Sequence, residues 1–124
     1  MTENDFYCEN ILSGHIPVQK VYETDMVLAF HHTQPYWEKH IVIIPKKHIA
    51  SLSAPGSCDP QLAAEFLKAI NYVTKLVEKE FGGCHVGSNV GNQQSTRHLH
   101  WYVNAGKQLK DENGSPILKG VKKK

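Results

Sequence analysis

Apolar and polar positions alternate along several short stretches of this chain and recur at helical spacing along one long stretch. In RHLHWYV, residues 97–103, His98, His100 and Tyr102 fall on one side and Leu99, Trp101 and Val103 on the other, because successive strand side chains point to opposite faces. The apolar set belongs on a core. The polar set then lines the opposite face, with alternate side chains about 7 Å apart. VQKVYET (18–24) alternates as a strand, Thr24-Asp25 reads as a two-residue turn, and MVLAFHH (26–32) returns as the second strand of a hairpin. TQPYWEK (33–39) carries turn signals. HIVIIP (40–45) is β-branched and nearly continuous in apolar residues, which suits a central strand ended by Pro45. CHVGSN (84–89) is a further strand.

The helical stretch is DPQLAAEFLKAINYVTKLVEKEFGG. Asp59 is an N-cap and Pro60 falls at the first helical position. Leu62, Phe66, Ile70, Val73 and Val77 share one helical face, and Gly82 and Gly83 end the helix. NDFYCENILSG (4–14) predicts a short N-terminal helix closed by Gly14. The sum is α+β: an antiparallel sheet of about five strands, one long helix and a short N-terminal helix.

The length of 124 residues suits a single domain. Its core spans about residues 4–108, and 109–124 form a C-terminal extension with a DENG turn, a short apolar patch and a basic end. Removing the four lysines of KGVKKK takes the formal charge from +2 to −2. The body is therefore not basic, and a nucleic-acid partner is not expected. Cys8, Cys58 and Cys84 are few, odd in number and widely spaced, which favours free thiols in a reducing compartment. The start MTENDFYCEN has no basic region followed by an apolar run, and IVII is far short of the ~20 residues of a membrane span. No membrane partner is expected, and the expected location is the cytoplasm.

The candidate chemistry lies in the eight histidines. A lone His-x-His on a strand is often no more than the polar coat of a sheet. Just before it, however, VGNQQST with Gly87 and Gly91 is rich in glycine and small side chains, a composition whose N–H groups cradle anions. An anion loop leading into a line of imidazoles points to phosphate chemistry.

These features together resemble the histidine-triad (HIT) family of nucleotide hydrolases and transferases. QSTRHLHWYVN resembles its His-x-His-x-His motif with the preceding Gln-Ser pair. AFHHTQPYWEKHIVIIPKKHIASL resembles its hairpin and Pro-Lys-Lys-His-Ile turn, and DFYCENILSGHIPVQKVYET its N-terminal helix and first strand. The resemblance implies a HIT-like fold that forms a homodimer. It makes His100 the nucleophile, with His98 supporting the site and His48 standing behind it. Gln94 and Ser95 would contact phosphate, and Asn89 would lie near ribose and phosphate. The implied reaction attacks the α-phosphate of a nucleoside monophosphate derivative, a phosphoramidate or dinucleotide of a purine (AMP- or GMP-like) nucleotide. It passes through a nucleotidyl-histidine, with no cofactor required. Nδ1–H of His100 is expected to donate to a backbone carbonyl and fix the tautomer.

Three departures from the family pattern matter. Tyr102 stands where the third triad histidine would be, keeping a donor but little positive charge at pH 7. His32 stands where an acidic residue commonly holds the ribose hydroxyls. Together they suggest an alternative, a weakly active nucleotide-binding or regulatory protein. Some bacterial members hold a structural zinc through two N-terminal cysteines and two histidines. Here Asp5 replaces the first cysteine, so Asp5, Cys8, His40 and His98 can form a mixed zinc set, which would make a metal-stabilised interaction module. Otherwise Cys8 is a small buried apolar residue, and His40 fixes the start of a strand. Trp37 reads equally as an exposed aromatic, a lid over a base or a dimer contact.

Overall fold

The computed structural model describes residues 7–94, 96, 98–111 and 115–116. Among them are the strands β1 (Lys20–Glu23), β2 (Val27–His31), β3 (Trp37–Pro45), β4 (His85–Ser88) and β5 (Trp101–Gln108). They form one sheet in the order β1-β2-β3-β5-β4, each neighbouring pair antiparallel. The helix α1 (Pro60–Phe81) packs on one face, and a π-helical turn at Tyr7–Ile11 packs on the other. This is the expected α+β arrangement. No helix among the described residues is long and apolar enough to cross a membrane.

Local chemistry sets the limits of α1. The Asp59 carboxylate accepts the Leu62 N–H at 3.1 Å, satisfying one of the unpaired donors of the first turn. Pro60 follows at a position that needs no N–H. At the other end Gly82 adopts a left-handed φ of 86° and donates its N–H to Glu78 O at 2.7 Å, a conformation that costs glycine little. Leu62, Phe66, Ala69, Val73 and Val77 are the buried residues of the helix. Ile70, expected among them, is only partly buried, because Ala69 falls closer to the centre of the stripe.

The sheet is buried on both sides. Val27, Ala29, Ile41, Ile43, Leu99 and Val103 meet α1. Leu28, Phe30, Val42 and Ile44 meet Tyr7 and Ile11. That explains why VLAF and IVII lack polar alternation. Three boundaries differ from the sequence expectation. The β1–β2 turn uses Thr24, Asp25 and Met26, since Thr24 Oγ1 accepts the N–H groups of Met26 and Val27. β3 starts at Trp37, three residues early, because β5 continues to Gln108 and pairs with it there. His98–His100 precede β5 proper. Leu99 N–H instead donates to Ile49 O at 2.6 Å, yet the alternation of faces survives. Asp5 and the start of the expected N-terminal helix lie outside the described residues, as do most of the DENG turn and the basic end.

Ile43 is fully buried between β2, β5 and α1. Ile43→Ala is expected to lower the unfolding free energy by about 2–5 kcal/mol. Leu67→Ala, on the exposed side of α1, should change it by less than about 0.5 kcal/mol. Urea titrations of the two variants provide the check.

Candidate active site

The face of the sheet away from α1 carries the polar groups. Antiparallel pairing sets His40 against Asn104 and Val42 against Tyr102 across β3 and β5, and Gly87 against Tyr102 across β4 and β5. His100, just ahead of β5, is buried at 6% exposure. Ser88 Oγ donates to its carbonyl oxygen at 2.7 Å, and the Tyr7 ring packs 5.1 Å from its imidazole. His100 Nδ1 lies 2.7 Å from the carbonyl oxygen of His98. A carbonyl only accepts, so Nδ1 carries the hydrogen and the neutral ring has its lone pair on Nε2. This is the backbone partner expected from the sequence.

His98 is fully buried. Its Nε2–H donates to Pro45 O at 2.9 Å, and Nδ1 faces Cys8 Sγ at 3.5 Å. The His48 ring stands edge-on to it at 5.4 Å. Cys8, His48 and His98 bring three ligand atoms within 4.8 Å of one another, the one such group among the described residues. A thiolate and two imidazoles are donors that suit zinc. His40, expected in this set, is not in it. It lies five strand residues from Pro45, roughly 17 Å along β3. The PKKH turn that follows Pro45 brings His48 to His98 instead. The fourth expected donor, Asp5, lies outside the described residues.

Two expectations about the phosphate loop change. Gly87 belongs to β4, not to the loop; a Cβ there would meet the His85 ring closely, at 3.1 Å, and the Tyr102 ring at an ordinary 3.5 Å. Gln94 is occupied with the fold. Its Oε1 accepts the Gly91 N–H at 3.0 Å, and its Nε2 donates to Ala50 O and Thr96 O. The amide thus anchors the loop, because the turn at Gly91–Gln93 aims Gln93 into the cleft rather than Gln94. Ser95 lies outside the described residues. Asn89 Oδ1 accepts the Tyr102 hydroxyl at 3.1 Å.

His100, Tyr102, Asn89, Gln93, Tyr7, His32 and His40 line a cleft of about 380 Å³, completed by Tyr36, Trp37, Val42 and Asn104. That volume suits one small ligand. Two larger hollows, of about 540 Å³ beside β1 and about 600 Å³ beside Cys84 and His85, do not include His100. In the cleft, His32 and His40 stack at 4.4 Å. His32 Nδ1 accepts the Gln34 N–H and His40 Nδ1 accepts the Tyr36 N–H, each at 2.9 Å. Burial, then the neighbouring His100 and Lys110, pushes His32 down to about 4. Burial, then His32, His100 and Lys110, pushes His40 down to about 3.

His100, Tyr102, Asn89 and His32, singled out in the sequence, all line this cleft. His40, Tyr7 and Gln93 line it as well, without having been placed there from the sequence, and so does Trp37, one of whose readings was a lid over a base. The alternation of His40 and Val42 against Tyr102 and Asn104 could have revealed His40. Nothing local signals Tyr7, which reaches the site across some ninety residues of chain.

A HIT domain model matches residues 13–109. The chain is 34% identical over 114 residues to a 13.2 kDa HIT-like protein of Azospirillum brasilense, covering 89% of both. It is 31% identical over 105 residues to Protein hit of Bacillus subtilis, covering 82% of this chain and 70% of that one. Among solved structures, a HIT family hydrolase from Legionella pneumophila superimposes with a TM-score of 0.72 at 30% identity, covering 86% of this chain and 96% of that one. A histidine triad protein from Clostridium difficile does so at 0.70 and 37%, covering 86% and 94%.

The two depressed imidazoles make stability depend on pH. Between their folded values and the ordinary 6.5, the unfolded chain binds protons that the folded chain refuses. Their stabilisation is therefore complete above about 6.5 and is lost as pH falls toward 4. The urea midpoint is expected to drop from pH 7 to pH 5. The drop should be smaller in His32→Gln/His40→Gln, whatever that variant's stability at pH 7.

Proposed function

The chain belongs to the HIT family, and on that footing we propose that it is a nucleotide hydrolase or transferase working at the α-phosphate through His100. The observation that carries this reading is the 2.7 Å hydrogen bond from His100 Nδ1–H to His98 O. It holds a buried imidazole in the one tautomer whose Nε2 can attack phosphorus. The attack forms a P–N bond to Nε2 and breaks the bond to the leaving amine or oxygen, which departs with the electron pair and takes a proton from solvent. The resulting imidazolium shares its Nδ1 proton with the His98 carbonyl. Water then attacks the same phosphorus and releases a proton to solvent, the P–Nε2 bond breaks with its electron pair returning to Nε2, and His100 returns to neutrality.

The other groups act by position. His98 supplies the carbonyl and is itself tied to Pro45, while His48 stands behind it. Asn89 and Gln93 line the cleft where phosphoryl oxygens would lie, and Ser95 joins them on the family pattern. Charge developing on those oxygens is met by such fixed donors. The substrate class is a purine nucleoside phosphoramidate or dinucleotide, AMP- or GMP-like, and the assembly is a homodimer.

A second reading, a weakly active nucleotide-binding protein, is favoured by one observation. The Tyr102 hydroxyl donates to Asn89 Oδ1, so the third triad position offers the leaving group no cation. A fluorogenic adenosine phosphoramidate separates the two. Wild type is expected to turn it over, His100→Ala to lose at least about a thousandfold, and Tyr102→His to be faster than wild type. Absent turnover with AMP still bound would establish the binder, and a slower Tyr102→His would remove the role given to Tyr102.

The group of Cys8, His48 and His98 supports a structural zinc completed by Asp5, with His48 in the place first given to His40. When bound, the metal would hold the N-terminal turn against His98. Purified protein should carry close to one zinc per chain, and Cys8→Ser far less. Less than about 0.1 equivalent in wild type would remove this site, since structural zinc binds tightly.

A further inference from the structure

The His32–His40 stack has no part in the reaction at His100, yet it occupies one wall of the same cleft. Both rings accept a backbone N–H at Nδ1. Each neutral ring therefore carries its hydrogen on Nε2 and can offer a ligand only a donor there. Protonating either ring would set an Nδ1–H against the backbone N–H that it now accepts, which together with burial keeps both rings neutral. The rings cannot serve as acceptors for a hydroxyl without losing those bonds.

The surroundings lean the same way. Among the described residues none of the side chains lining the cleft is acidic. Lys110 Nζ stands 5.2 Å from the centre of the Tyr36 ring, and that ring meets both imidazoles edge-on at 6.1 Å. Of the groups beside the stack, Lys110 is a standing positive charge. The Tyr102 ring neighbours both the stack and His100, at 5.9 Å from His40 and 6.5 Å from His100. A single nucleotide can thus reach both.

Resting on the nucleotide reading above, we propose that the paired Nε2–H donors of His32 and His40, flanked by Lys110, form a second anion subsite. The substrate class it selects is a nucleotide bearing another phosphate on its sugar. Two parallel N–H donors match two phosphate oxygens, and a ribose hydroxyl that must also donate finds no carboxylate to receive it. A half-buried wall beside a lysine strengthens those hydrogen bonds.

Calorimetric titration of the full chain with AMP, adenosine 2′,5′-bisphosphate and adenosine 3′,5′-bisphosphate at pH 7.5 tests this. At least one bisphosphate should bind wild type about tenfold or more tighter than AMP. His32→Asp, which places a carboxylate on the wall, should reverse that preference. If His32→Asp fails to fold by circular dichroism, His40→Gln should move the ratio toward one. The proposal is overturned if neither bisphosphate outbinds AMP in wild type, or if the folded variant keeps the wild-type ratio. AMP binding and His100-dependent turnover without any bisphosphate preference would sink the subsite alone. Failure to bind any of the three would sink the nucleotide reading with it.

Discussion

The pleat of two neighbouring strands, β3 and β5, is the constraint from which the rest follows. Their antiparallel pairing gives each strand one face toward α1 and one toward the cleft. Ile41, Ile43, Val103 and, just ahead of β5, Leu99 fill the first face. His40, Val42, Tyr102, Asn104 and His100 fill the second. A shift of one residue in that pairing would send the imidazoles into the apolar core and the aliphatic residues into the cleft. The hydrophobic burial that fixes register therefore also fixes the chemistry.

The buried polar residues are held by bonds that carry this register into the site. His98 is fully enclosed, and its hydrogen bond to Pro45 ties the segment before β5 to the end of β3. Its own carbonyl then orients His100, while Ser88 holds the His100 carbonyl from the other side. No buried side-chain nitrogen or oxygen among the described residues lacks a partner, as such an interior requires. His100 is thus positioned through the carbonyls of Pro45 and His98 and the hydroxyl of Ser88, which come from three separate segments.

The same cleft departs chemically from the family pattern at its edges. Where that pattern has a third histidine, Tyr102 keeps a neutral hydroxyl bonded to Asn89 and lays its ring over Gly87. Where an acidic residue is usual, His32 stacks on His40 and both rings remain neutral donors. His98 and His100 keep the family pattern, whereas Tyr102 and His32 depart from it.

Much of the fold was legible in the residues alone, because the rules involved act over a few positions. Asp59-Pro60 and Gly82 bound α1, the alternation of RHLHWYV separates core from cleft, and a run such as IVII marks a strand covered on both sides. The motif blocks carried the family, and on the family pattern they pointed to His100. What the residues could not settle were contacts between segments far apart in the chain. Gln94 reads as a phosphate ligand until Ala50, forty-four residues away, accepts its amide. His40 reads as a partner for Cys8 until the length of β3 carries it away and the following turn supplies His48. Local sequence determined which side chains share a face, since pleat and helical pitch are properties of the backbone. Only the tertiary structure decided which faces meet, since that depends on how the whole chain closes around one core.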